Sequence, residues 1–359
     1  MPATPPAPTR VTVQDLTAFC LEAMRRAGLS DEDAQLTAEV LVSTDTLGTF
    51  THGTRQLRGL LKNLRNGRLS AAAHEEIAAE GPAWAMVDAH YAMPPAVSYR
   101  SMLLAMRKAQ ACGIGYVGVR HSSHYGAAGF YANLAARHDM FGLSMCNVDP
   151  CMTVPGSKGR VLGTNPIAYA APAGEEKPVY LDIATSAVAA TKIYAAKSLG
   201  QPIPGNWLVD EDGLPTSDYS QFPEKAVQLP MAGHKGYGLA VMVEILTAVL
   251  TGAAVMSQVS SWVIESPEPT NEGHAFIAID VGQMMPIGEF KGRMDGMIRE
   301  IKSAPLAKGA DRIYLPGEIE LERRDGALVD GIDLPADVVA SLRGLAEDVG
   351  LDAATLFKS

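Results

Sequence analysis

From about residue 84 to residue 280 the sequence alternates short β-branched runs with longer stretches of helical periodicity, and an α/β layer structure is what accommodates that alternation. Strand-like runs fall at 114–120, 141–146, 167–171, 179–183 and 275–280. Helices are expected over 97–111, 126–137, 187–198 and 236–250, and residues 210–215 read as an exposed turn.

Both ends of the chain are helical instead. Leu16, Phe19, Cys20, Ala23 and Met24 repeat at helical spacing behind a cap at Thr12 and Asp15, with Gly28 as the stop. Ser30 and Asp33 repeat the capping signal before a second helix running to about Leu47. A third covers about 55–66 and closes at Gly67, and the tail holds helices at 290–302 and 338–349 separated by an extended stretch at 312–322. The expected division is a leader at 1–10, a helical part at 11–83, an α/β core at 84–289 and C-terminal helices at 290–359 packing on the N-terminal part.

Gly113, Gly115 and Gly118 match the dinucleotide fingerprint G-x-G-x-x-G letter for letter. That fingerprint works only as strand, glycine turn, then helix, so that the helix N-terminus faces a pyrophosphate. Here a helical run precedes the glycines and a β-type run, Tyr116 to Arg120, follows, so they read as a helix C-cap and a strand start.

Forty acidic against thirty basic residues give a net charge of −10, which repels phosphate backbones and anionic lipid. No nucleic-acid or membrane partner is expected. No apolar run reaches the length of a membrane span. The proline-rich start lacks the apolar stretch of a signal peptide. Cys20, Cys112, Cys146 and Cys151 show neither zinc spacing nor disulfide density, so they read as thiols in a reducing, cytoplasmic setting.

Three clusters carry groups suited to chemistry. His121-Ser122-Ser123-His124 lies in a strand-to-helix loop; an acid–base role, a structural histidine and a zinc pair are all open there, the zinc reading lacking a third ligand at a recognisable interval. Thr51, His52 and Arg55 place a hydroxyl, an imidazole and a guanidinium together at a helix end, a mix suited to a carboxylate or to plain capping. Lys235 and Gly236 open a long apolar helix, where free N–H groups make an anion site unless the glycines serve only packing. Lys192, Asp182 and Ser186 are unremarkable alone.

Together these segments resemble the malate/L-lactate dehydrogenase family that is unrelated to the Rossmann-type enzymes, from about Val11 to Asp333. The resemblance rests on DTLGTFTHG at 45–53, HSSHYGAAG at 121–129, LGTNPIA at 162–168, LDIATS at 181–186, GHKGYG at 233–238 and LPGE at 315–318. Its ureidoglycolate branch is also suggested by SMCNVDP at 144–150 and QVSS at 258–261. The family further includes sulfolactate dehydrogenases and piperideine-carboxylate reductases. The resemblance implies a non-Rossmann, mixed-sheet α/β core of the L-sulfolactate dehydrogenase kind, a helical domain built from both chain ends, and a homodimer.

It also implies an NAD-dependent oxidoreductase interconverting a small 2-hydroxy acid and its 2-keto acid, with NADP less favoured and no metal. His124 falls at the proton acceptor of the ureidoglycolate branch, and His52 at the proton donor of the imine-reducing branch. Thr51, Lys192, Arg55, Thr164 and His121 fall near substrate. Val148, Asp149, Asp182, Ile183, Ala184, Lys235, Gly236, Arg293, Gly317 and Glu318 fall at cofactor contacts. A carboxylate at Asp149 accepts from free ribose hydroxyls and repels a 2′-phosphate, which favours NAD. Three departures stand out: Thr51 replaces a serine, Gln56 replaces an arginine so that Arg55 must hold the carboxylate, and Lys192 replaces the aspartate of the imine-reducing branch. The alternatives are an NADPH-dependent imine reductase using His52, a zinc hydrolase built on His121 and His124, and a ligand-binding protein without activity.

Overall fold

The computed structural model describes residues 9–262 and 266–357, so the expected leader lies outside the described residues except for Thr9 and Arg10. Those two are not leader: they open strand β1 (Thr9–Val11), which pairs antiparallel with β12 (Ile332–Leu334) and joins the two chain ends. The N-terminal part continues with α1 (Val13–Arg26), α2 (Asp31–Thr46) and α3 (Leu57–Arg65). As expected, Thr12 Oγ1 caps α1 by accepting from Asp15 N–H (3.0 Å), and Ser30 Oγ caps α2 by accepting from Asp33 N–H (3.1 Å).

The core follows as β2 (Glu76–Gly81), β3 (Trp84–Asp88), α4 (Pro94–Cys112), β4 (Ile114–Ser122), α5 (Ala128–Ala136), β5 (Met140–Cys146), β6 (Ile167–Ala171) and β7 (Val179–Ile183). Next come α6 (Ala190–Leu199), the short strands β8 (Leu208–Val209), β9 (Pro215–Thr216) and β10 (Val227–Gln228), and α7 (His234–Glu244), which runs into a π turn at Ile245–Val249. Then β11 (Glu272–Asp280) leads into α8 (Val281–Met284), α9 (Ile287–Lys302), α10 (Glu318–Asp330) and, after β12, α11 (Ala336–Val349).

Seven strands form one sheet in the order β2-β3-β4-β11-β5-β6-β7, in which β3 and β4 run parallel and the other neighbours antiparallel. The fingerprint glycines serve this sheet. Gly113 ends α4 with a φ of 85°, and a Cβ on Gly115 would lie 2.1 Å from the Ala105 carbonyl oxygen, so glycine is what lets α4 lie close on β4. Against the same sheet Tyr125 stacks on Tyr131 (4.9 Å between ring centroids) and on His274 (4.4 Å), all three buried. A second core joins α1, α2 and α3 to β12 and α11 through residues such as Leu16, Leu41, Leu60, Leu342 and Leu345.

Three expectations are corrected. Residues 312–322 are not one extended stretch, because Gly317 (φ 82°) turns the chain and α10 begins at Glu318. The C-terminal helices do not all pack on the N-terminal part: Asp295 of α9 accepts the N–H groups of Gly174, Glu175 and Glu176 at the β6–β7 turn, which fixes α9 to the core. The sheet starts before residue 84, at β2. All four cysteines are free thiols, and no helix among the described residues is long and apolar enough to cross a membrane.

Candidate active site

A cleft of ≈ 730 Å³ opens between the segment after α2, the β4–α5 loop, the ends of β5 and β7, and the start of α10. Its walls include Thr51, His52, Arg55, His124, Val148, Asp149, Thr164, Asp182, Ile183, Ala184 and Gly317. Eleven expected site residues, separated by up to 266 positions, therefore line one space.

His52 is placed from behind by a buried carboxyl. Asp45, at the end of α2, is 1% exposed, and its Oδ2 accepts from Thr54 N–H (3.1 Å) and Thr54 Oγ1 (2.5 Å). A Cβ on Gly53 would fall 1.8 Å from Asp45 Oδ1, so only glycine passes over this carboxyl. Burial pushes the Asp45 pKa up to about 7, against the lowering effect of the Thr54 hydrogen bonds. Thr51 Oγ1 lies 2.8 Å from His52 Nδ1, and Gln56 donates its amide to the Thr51 carbonyl. His52 is ringed by protein yet presents an exposed face to the cleft; burial and then Arg55 lower its pKa, as far as the cleft stays dry.

His124 stands opposite, its ring centroid 5.5 Å from that of His52 and 4.3 Å from that of Trp262, stacked on both. It is 9% exposed, and burial, then His52 and His274, hold its pKa well below the ordinary value, so the ring is neutral at pH 7. Gly126 N–H donates to His124 Nδ1 (3.3 Å), which leaves the ring proton on Nε2.

The far wall is held from below. Asn147 and Asn165 both donate to the buried Glu244 of α7 (3.3 and 2.8 Å), and Asn165 Oδ1 accepts from Val148 N–H (3.2 Å). Gly163 has room for no side chain, since a Cβ would lie 2.4 Å from the Val148 carbonyl oxygen. The motif around Thr164 thus fixes Val148 and Asp149. Asp149 carries a raised pKa, from burial above all. Asp182 Oδ2 accepts from Gly129 N–H (2.8 Å) at the start of α5, and burial pushes it up to about 6.

Six expected residues are not brought into this cleft. His121, with φ 52°, turns its Nδ1 onto Asp88 (2.9 Å). Lys192 is exposed on α6, although its neighbour Thr191 lines the cleft. Lys235 and Gly236 have spent their N–H groups on the Ala232 and Met231 carbonyls (3.4 and 2.9 Å), and Gly236 packs against Met231, so this helix start offers packing where an anion site was expected. Arg293 lies exposed on α9. Glu318 is a structural group: it accepts from Leu315 N–H (2.9 Å) and pairs with Lys302 (2.8 Å). Arg55 does line the cleft, but its guanidinium sits on Asp337 (2.9 Å).

Since His121 and His124 face different partners, the zinc pair is not assembled, and no cluster of three or more His, Cys, Asp or Glu suited to a metal occurs among the described residues. Sequence reasoning missed Trp262, Gln228 and Glu320, which line the cleft, and Asp45, which supports it. Asp149 offers a carboxylate acceptor in the same cleft as the apolar Ile183, Ala184 and Pro166, a lining that fits a ligand carrying both hydroxyl donors and apolar rings, as a nicotinamide dinucleotide does.

A malate/L-lactate dehydrogenase profile matches residues 11–343. The malate dehydrogenase of Pyrococcus horikoshii is 35% identical over 350 residues, covering 96% of each chain. The NAD(+)-named ureidoglycolate dehydrogenase of Escherichia coli K12 is 32% identical over 313 residues, 87% of this chain and 89% of its own. The structure of sulfolactate dehydrogenase from Methanocaldococcus jannaschii superposes with a TM-score of 0.90 at 33% identity, covering 97% of this chain and 99% of that one.

Proposed function

Because the chain belongs to the malate/L-lactate dehydrogenase family and is an oxidoreductase, we propose that it interconverts a small 2-hydroxy acid and its 2-keto acid with NAD. The observation that carries the reading is the stacked His52–His124 pair in the same cleft as Thr164, Asp149 and Asp182.

Val148, Asp149, Asp182, Ile183, Ala184 and Gly317 would hold the dinucleotide, and Asp149 would accept from unphosphorylated ribose hydroxyls, which selects NAD over NADP. When bound, the nicotinamide supplies the hydride acceptor or donor. His124 lies at the reacting oxygen. In the oxidative direction the 3.3 Å Gly126 contact opens, the ring's own proton sits on Nδ1, and Nε2 takes the hydroxyl proton to give an imidazolium; in the reductive direction that imidazolium returns its Nε2 proton to the keto oxygen and the ring is left neutral. Arg55 exchanges its exposed Asp337 partner, an ion pair worth at most about 1 kcal/mol, for the substrate carboxylate.

A second reading gives the proton to His52. Its Nδ1 partner, the Thr51 hydroxyl, can donate or accept, so this ring changes protonation without losing its hydrogen bond. His124 is then the oxygen-orienting donor. Neither reading recruits Lys192, Lys235, Gly236, Arg293, Glu318 or His121 within a single chain; a homodimer is proposed on the family resemblance alone.

The test is NADH consumption over pyruvate, oxaloacetate, sulfopyruvate and ureido-keto acids. Turnover of at least one is expected. NADPH-dependent reduction of a cyclic imino acid, with all of these inert, would overturn the proposal.

A further inference from the structure

The most anomalous group outside the cleft walls is Glu272, at the start of the central strand β11. It is fully buried, and neither carboxyl oxygen has a hydrogen-bond partner. Ser122, its registered neighbour on β4, and Ser261, beside Trp262, also carry buried hydroxyls without partners. A register shift after Glu272 lets Gly273 exchange hydrogen bonds with Asn147, donating to its Oδ1 (2.8 Å) and accepting its N–H (3.3 Å), so Glu272 lies beside the backbone that leads to Asp149.

Ser122 lies at Glu272 and the Ser261 hydroxyl lies against Asp149, so these orphaned oxygens flank the two carboxyls and call for a bridging species. Buried polar groups are almost always satisfied, and a polar chamber with several partners holds water where an apolar one stays dry. The charge around Glu272 decides its form. Facing it are Asp149 from the β5–β6 connection, the Cys146 thiol of β5 and the Arg68 guanidinium from beyond α3. Arg68 is itself held by the carbonyls of Ser261 (2.7 Å) and Glu268 (3.0 Å). The single guanidinium at Glu272 cannot offset two buried carboxylates, and Asp149, which opens onto the cleft and has the charge of Arg160 acting on it, keeps its own charge at the lower cost. Burial and the Asp149 charge accordingly hold Glu272 well above the ordinary carboxylate range.

We propose that Glu272, Ser122 and Ser261 enclose ordered water beneath the cleft wall, and that Glu272 persists there as a neutral carboxylic acid, hydrogen-bonded through that water to Asp149. Glu272 is then a positioning residue for the wall that receives the cofactor ribose, an assignment that rests on the reading of Asp149 given above. It holds Asp149 as the one anion of the pair. Ionising Glu272 sets a second negative charge behind the first and withdraws the hydrogen bond.

The test combines infrared spectroscopy with binding. Wild-type protein at pH 7 should show a protonated carboxylic acid band that E272Q lacks. An absent band overturns the proposal; because Asp45, with a pKa of about 7, gives an acid band of its own, Asp45→Asn is recorded as well, and if E272Q fails to fold, an acid band that survives in Asp45→Asn supports Glu272 while its loss there overturns the proposal. The amide of E272Q mimics the neutral acid, so wild type should melt progressively lower than E272Q as the pH rises above about 4.3, where the unfolded glutamate ionises and the folded one does not. NADH affinity in wild type should weaken by about tenfold on the alkaline side, the equivalent of one unit of coupling between the carboxyls, and stay flat in E272Q. Equal pH dependence in both proteins overturns the link to Asp149. If the band is present but NADH does not bind at all, the cofactor reading falls and the buried acid stands.

Discussion

The imidazoles of His52 and His124 face each other 5.5 Å apart at an interplanar angle of 29°, one reached from the end of α2 and the other from the end of β4. Each makes a different hydrogen bond through Nδ1, and that difference separates their roles. Replacing the proton carrier should lower kcat/KM by roughly 100- to 10,000-fold. His124→Gln and His52→Gln should both fold. The variant that abolishes the pH dependence of the rate, and not only its height, identifies the carrier; near-normal turnover in both would remove this site from the reaction.

Trp262 fixes the face that His124 presents, and a Cβ on Gly59 would meet Trp262 Cζ3 at 2.9 Å. Gly59→Ala, on the half-buried face of α3 that meets Trp262, should therefore displace the indole and lower kcat while leaving NADH affinity within about twofold, because even a misplacement of about 1 Å at a reacting group is costly. Steady-state kinetics beside a fluorescence titration would show the split.

Gly53 passes over Asp45 at a distance no side chain tolerates. Gly53→Ala should cost about 1–3 kcal/mol or more in stability and displace His52 as well. Thr54→Val removes only the hydroxyl donor to Asp45 and should cost about 1–2 kcal/mol. Urea melts give the stabilities, and a larger loss in Thr54→Val than in Gly53→Ala would contradict this ordering.

Asp149→Ser should raise the affinity for NADPH relative to NADH by an order of magnitude or so, since it deletes the carboxylate that repels a 2′-phosphate. An unchanged ratio of dissociation constants would place the ribose elsewhere.

His274 is buried neutral, its Nε2–H donating to the Ser123 carbonyl (3.1 Å) and its Nδ1 accepting from Ser98 Oγ (3.1 Å), and burial takes its pKa down to about 3. The unfolded ring binds a proton below about 6.5 and the folded ring does not, so stability is full above that pH and falls as the pH drops towards 3. The slope from this residue is about 1.4 kcal/mol per pH unit. His274→Gln should flatten the acid limb of a plot of unfolding free energy against pH.

Local signals made most of the fold legible. Thr12 and Ser30 announced their helices because a cap is chemistry between near neighbours. β2 was invisible because an edge strand whose residues are nearly all exposed carries no alternation, and it forms only by pairing with β3. α10 was hidden by Pro316 and Gly317 at its start and by an apolar pair, Leu328 and Val329, left exposed near its end. At the site, His52 and His124 could be singled out because imidazoles in loops are conspicuous. Trp262, 138 residues beyond His124, could not, because its contact is made by the fold alone. The helix start at Lys235 and Gly236 shows the same limit: a glycine-rich start reads as a row of free N–H groups until one sees the carbonyls that occupy them.

The position of β11 has a consequence for synthesis. The strand at the middle of the sheet is the last of the seven to leave the ribosome, so until about residue 280 exists, β2-β3-β4 and β5-β6-β7 are two half-sheets, each with an unpaired inner edge. Nascent chains and truncations ending before that point expose both edges for pairing with other copies. One late strand thus closes the sheet and, through Glu272 at its first position, completes the floor beneath the cleft.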